Sequence, residues 1–221
     1  MIDPQVRNQL LSLSTPLIVD ARFRLGLPES HLDPAIRPVV PFSRMVGTAV
    51  TVLLDVTTDE ASADLQPLVQ AYESQEKTSF SIIVIQVPPE LHADGIFGGG
   101  AATLSRRNGF VGALVDGAAR DSHELQDMEF PVFSRTIAPG YIVGKTSAVA
   151  VGEPVLIGGR TIHAGDMIVA DNDGVSIIRP DEFDNVVARA QEIKEWEDRF
   201  HAAIAEGKSV EQAVEIFGSI P

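Results

Sequence analysis

Two short segments of the chain hold residue types that could do chemistry together. The first is Gly98-Gly99-Gly100-Ala101-Ala102. Contiguous glycines let a backbone approach a ligand closely, and where such a run opens a helix its free N–H groups attract an anion. The second is Val115-Asp116-Gly117-Ala118-Ala119-Arg120-Asp121. Arg120 carries a planar fork that can hold a carboxylate with two hydrogen bonds, and Asp121 offers hard oxygen ligands suited to magnesium or manganese. Together they make a set fit for a small carboxylate beside a divalent ion. The glycine run matches neither the dinucleotide fingerprint nor the phosphate P-loop, because its glycines are contiguous and no Gly-Lys-Ser/Thr follows.

These segments need elements that bring them to one place. SIIVIQV (81–87) reads as a buried strand, the glycine run opens a helix ending at Gly109, and FVGALVD (110–116) is the next strand. That order is a parallel crossover, and ligands in such sheets sit beyond the carboxyl ends of the strands. Upstream, two helices are expected within residues 3–13 and 16–26, with Ser14 or Thr15 capping the second and Gly26 ending it. MVGTAVTVLL (45–54) is a strand, and Asp59 starts a helix running to about Lys77. Downstream, short apolar runs from PVFS to VSIIR are separated by Gly-Gly, Ala-Gly-Asp and Asn-Asp-Gly turns, which reads as antiparallel β structure. A long helix from Pro180 or Asp181 to about Ala205 and a short one, SVEQAVEIFG, follow. The expected class is α/β with a parallel βαβ unit and a β-rich second half. It is expected to form a single domain over 1–221, with N-terminal helices at about 3–26 and a C-terminal helical extension at about 181–218.

Composition narrows the chemistry. The 221 residues are 44% hydrophobic, enough for a sizeable core, and no apolar run approaches the roughly 18 residues that cross a bilayer. The opening MIDPQVRNQL has no secretory pattern, so a cytoplasmic location and no membrane partner are expected. A formal net charge of −14 with no Lys/Arg stripe argues against nucleic acid. The chain has no cysteine, so a metal must be held by Asp, Glu, His or water. His31, His92, His123, His163 and His201 form no pair with metal-ligand spacing, although His123 lies two residues beyond Asp121. Asp171-Asn172-Asp173-Gly174 reads as a hairpin turn, since the spacing to a calcium-loop Glu is missing. Lys145 has the character of a solvated lysine, and Glu192, Glu195 and Glu197 share a helix with Lys194 and Arg199, the pattern of a salt-bridged surface.

FGGGAATLSRRNGFVGALVDGAARD (97–121) resembles the glycine loop and Asp-Gly-x-x-Arg-Asp motif of the family that contains the 4-hydroxy-4-methyl-2-oxoglutarate aldolases and the RraA-like regulators of ribonuclease activity. The resemblance extends through LDPAIRPVVPFSRMVGTAVTV (32–52), FPVFSR (130–135), Gly144-Lys145 and IGGRTIHAGDMIVADNDGVSIIRP (157–180). It implies a swivelling β/β/α fold assembled into homotrimers or homohexamers. It also implies that a short α-keto acid is held at the glycine loop (Gly98, Gly99, Gly100, Ala101), its carboxylate on Arg120 and the amides of Gly100 and Ala101. Asp121 would anchor Mg2+ or Mn2+, partly through water, and Glu197 would reach in from a neighbouring subunit. The implied activity is cleavage of a C–C bond with release of pyruvate. Arg120 and Asp121 would be the catalytic pair, by aldol cleavage or by decarboxylation of oxaloacetate, since both need a stabilised enolate.

One position departs from the family pattern. Its aldolases carry an acid in the glycine loop where this chain has Gly99, and that acid is associated with orienting the catalytic water. Aldol cleavage, which needs a base for the hydroxyl proton, is put in more doubt than decarboxylation, which does not. Asp94, a few residues earlier, is a candidate substitute, although an Asp before glycines is commonly a turn former. The competing reading is a non-catalytic protein that binds and regulates a ribonuclease, for which the acidic surface would suit a basic partner.

Overall fold

A computed structural model describes residues 4–57, 64, 66–73 and 80–221. Helix α1 (Pro4–Leu11) is followed by α2 (Thr15–Arg24), whose N-cap Ser14 accepts a hydrogen bond from Leu17 N at 3.4 Å. Past the end of α2, Gly26 has φ +69°, the left-handed conformation that glycine adopts without strain. A two-residue strand, β1 (Arg37–Pro38), precedes the long β2 (Met45–Val56). Helix α3 (Gln66–Glu73) falls inside the span expected to be helical, while Asp59 and Lys77, its expected ends, lie outside the described residues.

The crossover then runs through β3 (Ser81–Gln86), a short β4 (Gly95–Phe97), α4 (Gly99–Arg107) and β5 (Phe110–Ala119). A six-residue helix, α5 (Ser122–Asp127), leads to β6 (Val132–Ile137). The second half contributes β7 (Thr146–Val151), β8 (Val155–Ile157), β9 (Arg160–Ile162), β10 (Met167–Asp171) and β11 (Gly174–Ile178). Helices α6 (Phe183–Ala205) and α7 (Val210–Phe217) follow, the latter opened by a Ser209–Gln212 capping box.

Among the described residues, nine strands form one mixed sheet in the order β1-β6-β5-β3-β2-β10-β11, with β4 added to β5 and β7 to β2, and β8–β9 form a separate hairpin. The centre is parallel: β2 with β3, β3 with β5, β5 with β6. The flanks are antiparallel. The sheet nearly closes, because Arg37 on β1 donates to the carbonyls of Asn172 (3.3 Å) and Asp173 (2.7 Å) in the β10–β11 turn. The α/β class with a parallel βαβ unit, in the nearly closed β/β/α arrangement, is therefore observed. One detail corrects the expected antiparallel second half: PVFS lies in β6, which runs parallel to β5. The short helix α5 carries the chain back across the sheet, and that return forces the parallel direction.

Burial follows the strand period of two. Ile83 and Ile85 point into a core with Val115, Phe97, Ala102 and Leu125, beneath α3, α4 and α5. Ile82 and Val84 point the other way, into a core with Leu114, Phe133, Ile157 and Ile168 that the β8–β9 hairpin covers. A third cluster joins α1, α2 and α6 to the flank of the sheet through Leu10, Ile18, Val46, Val169 and Ile193. Each fully buried branched side chain contributes about 1.5–3 kcal/mol.

Asp116, in the middle of β5, is consumed by this architecture. Its carboxylate pairs with Arg135 of β6 and accepts from Gly158 N at 3.3 Å, while Arg135 also reaches Asp33 at 3.1 Å. Burial works against the charge on Arg135, but hydrogen bonds to Asp33 and Asp116 hold its pKa above the ordinary value. Asp33 is held below the carboxylate range by the Ala35 amide and then by Arg135. The network ties the segment before β1, the hairpin and two central strands together. With its side chain only 10% exposed, Asp116 cannot be replaced by water at low cost. Asp116→Ala is therefore expected to lose about 3 kcal/mol of stability. Asp33→Ala, at an exposed pair, is expected to lose about 1 kcal/mol or less, both read by urea denaturation.

Candidate functional site

The site forms where β5 ends. Glycine at 95 allows β4 to lie in parallel register on the last turn of that strand, pairing Gly95 with Ala118 and Phe97 with Ala119. A Cβ on Gly95 would stand 2.9 Å from Arg120 Cβ and 2.8 Å from the Ala138 carbonyl, so any side chain there would part the two segments. Arg120 N donates to Phe97 O at 2.9 Å, and Ala138 N donates to Ala119 O at 2.9 Å, which fixes the backbone on both sides of the arginine.

Next along the chain, Asp121 has φ +53° and ψ +41°. Left-handed backbone costs a non-glycine residue about 1–2 kcal/mol, and aspartate is among the types that tolerate it. The turn sends α5 back over the start of α4. Asp121 caps α5 with its backbone carbonyl (Leu125 N, 3.1 Å) and leaves its side chain free to point elsewhere. Its Oδ2 accepts from Gly99 N at 3.2 Å and its Oδ1 from Arg120 Nε at 3.3 Å. One carboxylate thus joins the helix start to the arginine.

The three glycines of the loop have different reasons to be glycine. A Cβ on Gly98 would sit 2.7 Å from Arg120 Cγ and closer still to Asp121 Oδ2. A Cβ on Gly99 would fall 2.8 Å from Glu124 Cδ and overlap its Oε2. At Gly100 an added Cβ meets nothing within 4 Å, so the space above it is open. The first intrahelical bond of α4 is Ala102 N to Gly98 O, which leaves the amides of Gly100 and Ala101 facing outward from the helix start.

Arg120 and Asp121 are about one-third exposed (37% and 34%), and the guanidinium spends only Nε on its neighbour. Its two terminal nitrogens make no hydrogen bond among the described residues, which leaves the planar fork available to a carboxylate. Among the described residues, Asp121 is the carboxylate that pairs with this arginine. Among the described residues, no group of three or more His, Asp or Glu side chains converges as a ready-made cage. The donor set fits an ion of the magnesium type, which keeps much of its water shell and needs one carboxylate plus ligand oxygens.

Other candidates are distributed as follows. Lys145 reaches the edge of the site but pairs with Asp94 at 2.8 Å, beneath Gly140, whose carbonyl accepts from Gly95 N at 3.2 Å. Asp94 is thus engaged by a cation. His123 is exposed on α5. Glu197 lies on α6, which packs on α2 and α7 with the third core cluster, so one chain does not bring it to Arg120. Asp171 holds the Thr15 hydroxyl (2.6 Å) and amide (2.8 Å) and the Asp173 amide (3.0 Å), the work of a hairpin turn docked on a helix start. Glu124 is the residue that the sequence reading missed. Its spacing of three from Asp121 becomes informative only once α5 is known to be helical.

Comparison with known proteins bears on this arrangement. The family model RraA-like (Aldolase/RraA) matches residues 15–177. "Protein DlpA" of Legionella pneumophila is 29% identical over 215 residues, or 96% of this chain, and the chain spans 34% of that protein's length. A Halalkalibacterium halodurans protein named "Putative 4-hydroxy-4-methyl-2-oxoglutarate aldolase" is 30% identical over 201 residues, covering 90% of this chain and 88% of the relative. The crystal structure of an uncharacterized protein from Pseudomonas syringae pv. tomato has a TM-score of 0.79 at 29% identity, covering 96% of this chain and 98% of that one.

The crowding at Gly98 makes a direct forecast. Gly98→Ala is expected to displace Asp121 and the stem of Arg120 from the loop and to cost about 1–3 kcal/mol of stability, read by urea denaturation.

Proposed function

Since the chain belongs to the RraA-like family, whose model spans aldolases as well as RraA proteins, we propose that it is a lyase that cleaves a C–C bond of a short α-keto acid and releases pyruvate. The observation that carries this reading is the open guanidinium fork of Arg120, set by Asp121 beside the outward amides of Gly100 and Ala101. Such a corner suits the carboxylate of a keto acid. Arg120 takes its two oxygens, the outward amides of Gly100 and Ala101 line its near side, and the space above Gly100 receives the rest of the molecule.

Orientation follows from that grip. With the carboxylate held, the adjacent ketone is directed toward Asp121, where Mg2+ or Mn2+ is proposed to bind. Bound there, such an ion supplies electron withdrawal from the keto oxygen. Arg120 adds a fixed positive charge as the enolate develops, and because its Nε is already tied to Asp121 it needs no reorganisation. Aldol cleavage of 4-hydroxy-2-oxo acids and decarboxylation of oxaloacetate both pass through that enolate. Closure of the site by Glu197 of a neighbouring copy, in a homotrimer or homohexamer, completes the proposal. Ribonuclease regulation, the other activity that the resemblance implies, makes no use of an arginine fork and an acid held on a glycine loop.

The test is pyruvate release, coupled to lactate dehydrogenase, from 4-hydroxy-4-methyl-2-oxoglutarate and from oxaloacetate, with magnesium or manganese and with chelator. Activity with metal that chelator removes is the expected result. Arg120→Ala is expected to lower kcat/KM by about a thousandfold, roughly 4 kcal/mol, and Arg120→Lys to recover only part of it. Turnover of neither substrate, or an unimpaired Arg120→Ala enzyme, would sink the reading.

A further inference from the structure

Gly99 has two carboxylates against it. Asp121 Oδ2 accepts its N–H, and the Glu124 side chain folds onto its Cα, with Cδ 2.8 Å from the point where a Cβ would be. A side chain at position 99 and the Glu124 carboxylate would compete for one volume. Gly99 is not among the residues with positive φ, so its backbone does not demand glycine. What excludes a side chain there is the tip of Glu124. An acid in the first turn of α5 is favoured by the helix dipole wherever it points, but that preference does not explain why this one lies on the glycine loop. Asp94, the other nearby acid, is paired with Lys145, whereas Glu124 has no cationic partner among the described residues.

We propose that Glu124 supplies, from α5, the proton-accepting carboxylate that the glycine loop lacks. The inference rests on the lyase reading above and assigns the proton acceptor for its aldol cleavage. In cleavage of a 4-hydroxy-2-oxo acid, the hydroxyl proton passes to Glu124 through a water. The C3–C4 bond breaks as C4 becomes a carbonyl carbon, and the released electron pair leaves pyruvate as its enolate. Protonation of that enolate at C3 by the same carboxyl group gives pyruvate and returns Glu124 to its starting form. Oxaloacetate needs no hydroxyl deprotonation, because loss of CO2 itself delivers the electron pair to C3. Glu124 therefore matters for aldol cleavage and not for the decarboxylating bond break.

The decisive measurement is the ratio of the two activities in one protein, an index that general loosening of the site would not move. Glu124→Gln is expected to reduce kcat for cleavage of 4-hydroxy-4-methyl-2-oxoglutarate about 100-fold or more, while CO2 release from oxaloacetate, whose bond break needs no base, falls by less than about tenfold. It is also expected to slow the exchange of pyruvate methyl protons in deuterium oxide, followed by NMR. The double variant Gly99→Asp with Glu124→Ala places an acid in the vacated volume and is expected to regain aldol activity over Glu124→Ala alone. An unchanged ratio in Glu124→Gln, or equal loss of both activities, overturns the role of Glu124 while leaving the lyase reading intact. A wild-type protein that releases pyruvate from neither substrate overturns both.

Discussion

Between the end of β5 and the start of α4 there is room for backbone and little else. Gly95 and Gly98 have no side chain because the stem of Arg120 passes over both, and Asp121 closes the gap by accepting the Gly99 amide. That approach depends in turn on β4, whose Gly95 and Phe97 pair with the last residues of β5 and whose Phe97 is fully buried and stacks on Phe130 at 6.1 Å. The phenylalanine anchors one side of the contact in the core, and the Arg120 N–H to the Phe97 carbonyl anchors the other. A polar corner can be this well ordered at a half-exposed site because its backbone is built on buried aromatic packing.

β5 and the turn that follows it carry two aspartates within six residues, and the fold uses them in opposite ways. Asp116 is buried, paired with Arg135 and hydrogen-bonded to Gly158, so its charge is spent on holding strands, hairpin and the segment before β1 together. Asp121 lies beyond the strand, in left-handed backbone, with its carboxylate one-third exposed. The strain at Asp121 is what turns α5 toward the glycine loop and so brings Glu124 to Gly99. Charge in a dry environment stabilises structure only when fully paired, while charge at a partly wet edge can exchange partners for a ligand. The same residue type thus serves architecture within the strand and the candidate site just beyond it.

Local pattern carried far in this chain. The apolar runs in 81–87 and 110–116, the glycines at 98–100 and the Arg120-Asp121 pair are sufficient to read a parallel crossover that brings a glycine loop and an arginine to its strand ends, because burial period and backbone freedom are properties of neighbouring residues. The long helix after Pro180, the hairpin turn at 171–174 and the Ser14 cap were equally legible for the same reason. The short elements were not. β4 has three residues and α5 six, too few for any periodicity, and the parallel direction of β6 depends on the path α5 takes rather than on the residues of PVFS.

Position 99 marks the boundary between the two kinds of knowledge. Along the chain it is a glycine where an acid is expected, and nothing local repairs that. In space a glutamate from another helix occupies the volume, because a left-handed residue at 121 and a strand register set by buried isoleucines place α5 over α4. The residue types that could grip an anion were settled by local chemistry. Which carboxylates stand beside them was settled by long-range packing, since side chains far apart in sequence meet only where the hydrophobic cores allow the elements to close.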